Sequence, residues 1–261
     1  MKTDHAAFDA VAGAYDDDFT SSILGRLLRP RVWEKLSQYF SSGEHVLELA
    51  CGTGEDAVWL AQQGLRVTAT DGSAEMIEVT QAKVDRAGVT GQVEARQVSL
   101  QAISEKYFNK PFDGVFSNFG GLNTINQWRS LAQALAEIVR SGGKVILVPM
   151  GPFCPWEIGW YLAHGQPKMA FRRFSVPASA RIGETVIPVW YPSTRRLRAD
   201  FAPWFRYCGV ESLGLWLPPS YLDHFVNRRP NFFVRLDQFE KATARLTTGW
   251  GDHYIIIFER R

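Results

Sequence analysis

Val46-Leu-Glu48-Leu-Ala50-Cys51-Gly52-Thr53-Gly54-Glu55-Asp56 reads as a short apolar strand that ends in a glycine-containing turn and opens directly into a helix. Glycines at 52 and 54 let the backbone approach a ligand where side chains would block it. Downstream, Arg66-Val-Thr-Ala-Thr-Asp71 is the next strand. It sets an acid roughly twenty residues beyond the turn, where one carboxylate can accept hydrogen bonds from both hydroxyls of a ribose. Acid plus glycine turn implies an adenosine-type ligand. The structural alternatives are simpler: Asp71 as a cap for the helix after Ser73, and Glu48 as a strand-end partner of Arg66 or Lys144.

Outward from this segment, residues 45–150 alternate strand-like runs with helical patterns, the signature of a parallel sheet covered by helices. Gly64 and Gly88 close two of the helices, and Met76, Ile77, Thr80, Val84 and Ala87 mark the buried side of the second. Gly91–Val98 and Phe112–Asn118 are further strands. A helix bearing Trp128, Leu131, Leu135, Ile138 and Val139 is expected to end at Gly142-Gly143, before the strand Lys144-Val-Ile-Leu-Val. The expected fold is a Rossmann-like, doubly wound, mostly parallel α/β sheet of about seven strands, the last antiparallel, with a helical and aromatic cap inserted after strand five. The expected layout is a helical N-terminal lid over 1–42, the ligand-binding core over 43–150, a substrate cap over 151–206, and last strands with a helical insertion over 207–261. Within the cap, prolines break long elements, leaving short helices and a hairpin around Glu184–Trp190. Val210–Leu217 and His253–Glu259 are read as the last two strands.

Glycine turns of this kind also serve nicotinamide and flavin cofactors. Glu48 separates the readings, because a carboxylate before the turn would repel a pyrophosphate but suits a ligand bearing an ammonium group. Glu55 and Asp56 at the next helix's start make poor company for a phosphate. The segment Glu48-Leu-Ala-Cys-Gly-Thr-Gly resembles the first motif of class I S-adenosylmethionine-dependent methyltransferases, small-molecule type, and Thr70-Asp71-Gly72-Ser-Ala-Glu-Met76 resembles their second. Phe112-Asp-Gly-Val-Phe-Ser-Asn118-Phe119-Gly120 resembles the fourth, and Phe8–Asp16 resembles a leader helix whose tyrosine, here Tyr15, often lies over the cofactor. The third motif's acid is replaced by Val98-Ser99-Leu100. The resemblance implies S-adenosyl-L-methionine as cofactor, S-adenosyl-L-homocysteine as product, and a site of Tyr15, Glu48, Ala50, Cys51, Gly52, Thr53, Gly54, Asp71, Gly72, Met76, Ser99, Leu100, Asn118 and Phe119.

The cap is crowded with rings, and Trp156, Trp160, Tyr161, His164, Trp190 and Tyr191 are the candidate substrate-pocket residues. Methyl transfer needs mainly alignment and exclusion of water. An acceptor requiring a base would find candidates in His164, His224, Tyr161 and Glu157, with His164 first and Tyr15 as a further catalytic candidate. These features point to a small or medium-sized, largely apolar metabolite as acceptor, methylated at oxygen or nitrogen. A net charge of +2 implies no nucleic-acid partner, and the arginine clusters at 172–173, 195–198 and 228–229 read as solvated helix faces or anion contacts. Three cysteines without a CxxC pair argue against a disulfide framework or a zinc site. No run is long and apolar enough for a membrane span, and a cytoplasmic location is expected. Two alternatives stand beside this reading: a non-catalytic S-adenosylmethionine-binding protein, and a nicotinamide-dependent oxidoreductase, for which a Tyr-x-x-x-Lys pair is missing.

Overall fold

The computed structural model describes residues 5–13, 15, 16, 20–108 and 111–261, without the side chains of residues 5, 6, 221 and 224. Asp17, Asp18 and the side chain of His224 therefore lie outside the described residues. The chain opens with α1 (His5–Asp9) and α2 (Ile23–Tyr39), the latter capped by Ser22, whose hydroxyl accepts from the Gly25 amide at 2.9 Å. Then come β1 (His45–Leu49), α3 (Glu55–Gln62), β2 (Arg66–Asp71), α4 (Ala74–Ala87), β3 (Val93–Gln97), β4 (Phe112–Ser117), α5 (Trp128–Ile138) and β5 (Val139–Leu147). The cap holds α6 (Pro155–Ala163), α7 (Pro167–Ala170), the hairpin β6 (Ala178–Ile182) and β7 (Thr185–Val189), and α8 (Thr194–Phe201). β8 (Phe205–Leu213), α9 (Asp223–Asn227), α10 (Pro230–Thr243) and β9 (His253–Arg260) complete the chain.

Seven strands form one sheet in the order β3-β2-β1-β4-β5-β9-β8. β9 pairs antiparallel with both β5 and β8, while the pairs among β1 to β5 are parallel, so the last strand alone runs against the others. Alternate side chains feed two cores. Val46 and Val67 face Leu24, Val32 and Leu36 of α2, whereas Leu47, Val115 and Leu147 face Leu131, Leu135 and Phe201 of α5 and α8. Such two-sided burial is what a parallel sheet requires, and strand order reverses between β1 and β4, so ligands belong outside the carboxyl ends of these two strands.

Several boundaries differ from the sequence reading, among them the end of β8, Leu213 in place of Leu217. α5 stops at Ile138, because Val139 already pairs with Phe112; the sheet register then jumps to Gly114 opposite Lys144, and residues 140–143 loop outward through Gly142 at φ +76°. β8 begins at Phe205 rather than Val210, since Gly209 marks a register shift that interrupts the alternation on which the reading relied. A third, small core joins Ala7 of α1 to Ala178, Ile187 and Val189 of the hairpin, so the leader and the cap meet over the switch point. From below, α10 is tied to α2 through the buried ion pair Arg31–Glu240 at 2.7 Å.

Candidate active site

The turn after β1 is built tightly. Ala50 (φ +51°), Gly52 (φ +55°) and Gly54 (φ +74°) all take left-handed conformations, and the Thr80 hydroxyl of α4 donates to the Gly52 carbonyl at 2.9 Å. A Cβ on Gly54 would sit 2.5 Å from the Thr80 methyl, whereas one on Gly52 would meet nothing within 4 Å. Gly54 is thus demanded by packing, and Gly52 faces open space. Asp71, at the end of β2, accepts from the Gly52 amide at 3.0 Å and the Ser73 amide at 2.9 Å, joining the turn to the start of α4.

Beside the turn, Asp56 gathers three side chains from two other segments. Its carboxylate takes Arg29 at 2.8 Å and the Trp33 indole N–H at 2.7 Å, both from α2, and the Asn118 amide beyond β4 at 2.9 Å. The leader is latched in the same way: Asp16 accepts from Thr53 at 2.6 Å and pairs with Lys83 at 2.7 Å, while Asp9 accepts from Ser73 at 2.5 Å.

Glu48 is 1% exposed, and its Oε2 has no hydrogen-bond partner among the described residues. Burial, reinforced by the neighbouring Asp56 charge, pushes its carboxyl well above the usual carboxylate range. Lys144, one of its alternative partners, pairs with Glu259 instead. Cys51 is likewise held as the thiol, raised by burial and then by Glu48 and Asp71, which leaves no nucleophile in the turn.

These parts enclose one cavity of about 610 Å³. Of the residues singled out from the sequence, Tyr15, Glu48, Ala50, Cys51, Gly52, Thr53, Asp71, Gly72, Met76, Leu100, Asn118, Phe119, Tyr161 and Tyr191 line it. Ser99 and Gly54 do not: Ser99 precedes a short turn whose Leu100 and Gln101 line the cavity instead, and Gly54 faces Thr80. The cap aromatics also need correction. Trp156 packs toward Phe233, Trp160 lies between His164 and Phe225, and Trp190 packs against the sheet core, its main chain held by Asn123. His164 is exposed at the end of α6, where its ring meets the Trp160 carbonyl at 2.8 Å, and it is not among the residues that line the cavity. It does not reach the cavity as a base. Glu157 is committed to structure: it is 1% exposed and takes Arg172 at 2.7 Å and Arg173 at 2.7 Å.

This last cluster overturns the solvated reading of the first arginine pair. Arg173 is 3% exposed and also binds Asp252 at 2.5 Å. Burial alone would raise the Glu157 carboxyl, but the two guanidiniums overcome it and hold it below its ordinary 4.5. Glu157→Gln is therefore expected to lose about 3 kcal/mol of stability at pH 7, because the buried Arg173 and the half-buried Arg172 lose their shared anion. The folded value lies below the unfolded one, so this contribution is present above pH 4.5 and fades as pH falls through the folded value; urea unfolding at pH 7 and pH 4 checks both the size and the sign.

Among proteins of known identity, the chain is 31% identical to a demethylmenaquinone methyltransferase of Thermobifida fusca (strain YX), over 65% of this chain and 72% of that one. A methyltransferase-domain family model matches residues 46–143, the segment that carries the turn and Asp71. The chain belongs to the class I S-adenosylmethionine-dependent methyltransferases. This methyltransferase is also 31% identical to the O-methyltransferase resE of Aspergillus sclerotiorum, over 42% of its own length and 41% of that protein's. Its fold superimposes on a solved DhpI complex with S-adenosylhomocysteine with a TM-score of 0.61, at 19% identity, covering 98% of this chain and 94% of that one.

The residues present fit the cofactor of the methyltransferase. An orphaned carboxylate oxygen on Glu48 faces a cavity that Gly52 leaves open, with the Asp71 carboxylate at the next strand end. Several lining residues escaped the sequence reading. Arg29, Gln101, Asn123, Thr124, Met150 and Arg181 line the cavity from several elements, and no local spacing announces them. Asn123 had a signal only in retrospect, as an amide two residues past a double glycine; it clamps Met150 (N 2.9 Å, O 3.0 Å) and the Trp190 carbonyl.

Proposed function

We propose that this methyltransferase binds S-adenosylmethionine across the carboxyl ends of β1 and β2 and methylates a small or medium-sized, largely apolar metabolite held beneath the cap. The observation that carries the reading is the partnerless Oε2 of Glu48, buried at the cavity floor beside an open glycine turn. In this reading Asp71 holds the ribose, Glu48 the ammonium group of the methionine moiety, Gly52 and Thr53 approach through the main chain, and Met76, Leu100 and Phe119 border the rings or the sulfur. Bound cofactor supplies a methyl group on a sulfonium, transferred by direct displacement to yield S-adenosyl-L-homocysteine.

The chain's own contribution is alignment and exclusion of water. Tyr15, Phe8 and the leader act as the lid over 1–42, latched by Asp9 and Asp16. The hairpin β6–β7 and Tyr161 and Tyr191 act as the cap over 151–206 that receives the acceptor. Tyr15 sits where it could accept a proton only as a phenolate, and burial, opposed by Arg29, raises its hydroxyl, so it serves as a hydrogen-bond donor and a wall. The acceptors that the relatives' names state, a demethylmenaquinone or an oxygen atom, are compatible with a wall of aliphatic and tyrosine side chains. A cytoplasmic site of action accords with free cysteines, and among the described residues no helix is long and apolar enough to cross a membrane.

Glu48→Gln tests the floor. Without cofactor, the folded protein keeps a proton on Glu48 that the unfolded chain releases near pH 4.5 and that a bound ammonium group would displace, so the stability of the cofactor-free wild type falls as pH rises from that point toward the raised folded value. The glutamine variant lacks this loss. Its melting temperature should exceed the wild type's by more at pH 8 than at pH 4.5, while its affinity for S-adenosylmethionine falls by about tenfold, the scale of one charge-assisted hydrogen bond. Thermal scans and calorimetric titration at both pH values measure the two effects; equal pH dependence in the two proteins would contradict the assignment.

A further inference from the structure

The cavity has two chemically opposite ends. Its carboxylates, Glu48, Glu55, Asp56 and Asp71, all come from the ends of β1 and β2 and the start of α3. The cap contributes Arg172 and Arg181 with Tyr161 and Tyr191, set in an aliphatic wall from β6 and β7; among the described lining residues no carboxylate comes from the cap. A cofactor with a sulfonium and an ammonium suits the acidic floor, and the acceptor must then meet the cationic side.

Arg172 is positioned rather than loose. Glu157 grips its Nε at 2.7 Å and its Nη2 at 3.1 Å, and the side chain, 23% exposed, belongs to the cavity lining. Glu157 divides its charge between Arg172 and Arg173, and Asp252, the other anion of the cluster, pairs with Arg173 and stands against the ring of His253. Tyr191 lies under Arg173 at 4.9 Å, and burial raises its hydroxyl, so it faces the cavity as a donor. Arg181, exposed on β6, adds a full positive charge at the cavity wall. Two arginines and two tyrosines lining one volume bring together groups that recognise an oxyanion, since planar guanidinium groups bind carboxylates and phosphates through paired hydrogen bonds.

We propose that the acceptor of this methyltransferase carries an anionic oxygen group, a carboxylate or a phosphate-type group, which Arg172 and Arg181 bind while its apolar body lies against β6 and β7. The proposal rests on the placement of the cofactor at the acidic floor, and it adds to the apolar acceptor a charged end that fixes its orientation. It also gives Arg172 a role beyond the salt-bridge cluster.

The test is calorimetric titration of protein saturated with S-adenosylhomocysteine, using three probes that share one apolar body: 2-naphthoate, 2-naphthyl phosphate and the neutral 2-naphthylmethanol. S-adenosylhomocysteine is titrated first on every protein, so that failure of the cofactor site, which would remove the basis of the proposal, is seen separately from failure at the cap. At least one anionic probe is expected to bind tenfold or more tighter than the alcohol. That preference should shrink below threefold in Arg181→Met, whose exposed position leaves folding intact, and in Arg172→Met, with S-adenosylhomocysteine affinity unchanged in the first. Naphthoate alone or the phosphate alone being preferred identifies which oxyanion fits. Equal binding of alcohol and anions, absence of binding by both anions, or a preference that survives both substitutions would overturn the proposal.

Discussion

Asp71→Ala is expected to weaken S-adenosylhomocysteine binding about a hundredfold, roughly the 2.7 kcal/mol that two hydrogen bonds from a ribose to a carboxylate are worth. The same carboxylate accepts from the Gly52 and Ser73 amides, so the alanine variant also strands two main-chain donors. A stability loss of about 1–3 kcal/mol should accompany the affinity loss. Asp71→Asn separates the two effects, because its carbonyl oxygen can keep one amide in place while the charge is lost. Its melting temperature should stay nearer the wild type's, and its affinity should still fall by about tenfold. Unchanged affinity in both variants, measured by calorimetry below their melting temperatures, would remove Asp71 from the site.

The second large effect is a contrast between two glycines that look alike in the sequence. A Cβ on Gly52 meets open space, so Gly52→Val mainly suffers the left-handed backbone, about 1–2 kcal/mol, while its isopropyl group occupies volume in front of the turn. The variant should fold and lose more than a hundredfold in cofactor affinity. Gly54→Val instead drives a Cβ to 2.5 Å from Thr80 and breaks the packing of α3 on α4. It should lose stability first, seen as a lowered urea midpoint, with binding lost only as a consequence. Circular dichroism melts beside calorimetric titrations distinguish the two cases; equal loss of folding in both would mean that Gly52 is also a packing glycine.

Much of the core was readable because its signals are local. The strand, glycine turn and helix from Val46 to Gln62, the acid at the end of β2, and the Ser73 and Gly88 caps of α4 all depend on neighbours within a few residues. Boundaries failed where tertiary pairing overrode a local sign. Gly142-Gly143 looks like a helix stop, yet Phe112 had already recruited Val139 into the sheet. Gly209 hid the first half of β8 in the same way.

The cap was legible as a cap and poorly legible in its details. Aromatic richness says that rings will pack, but a short helix such as α6 has no long periodic stripe to tell which side meets the cavity. Tyr161 therefore lines it, while Trp156, Trp160 and His164 turn elsewhere. Arginine pairs are usually solvated, and only the meeting of Glu157 with Asp252, 95 residues apart in number and adjacent in space through Arg173, shows that this one is buried. Arg29 and Asn118 joined Asp56 for the same reason: the contact exists only once α2, α3 and β4 are assembled.

The central claim, that the cavity at the ends of β1 and β2 is the S-adenosylmethionine site, is tested most directly by calorimetric titration of the purified protein with S-adenosylmethionine, S-adenosylhomocysteine and NADH in parallel. Micromolar binding of the first two, one molecule per chain, with no heat from NADH is the predicted result; binding of NADH, or of none of the three, would contradict it.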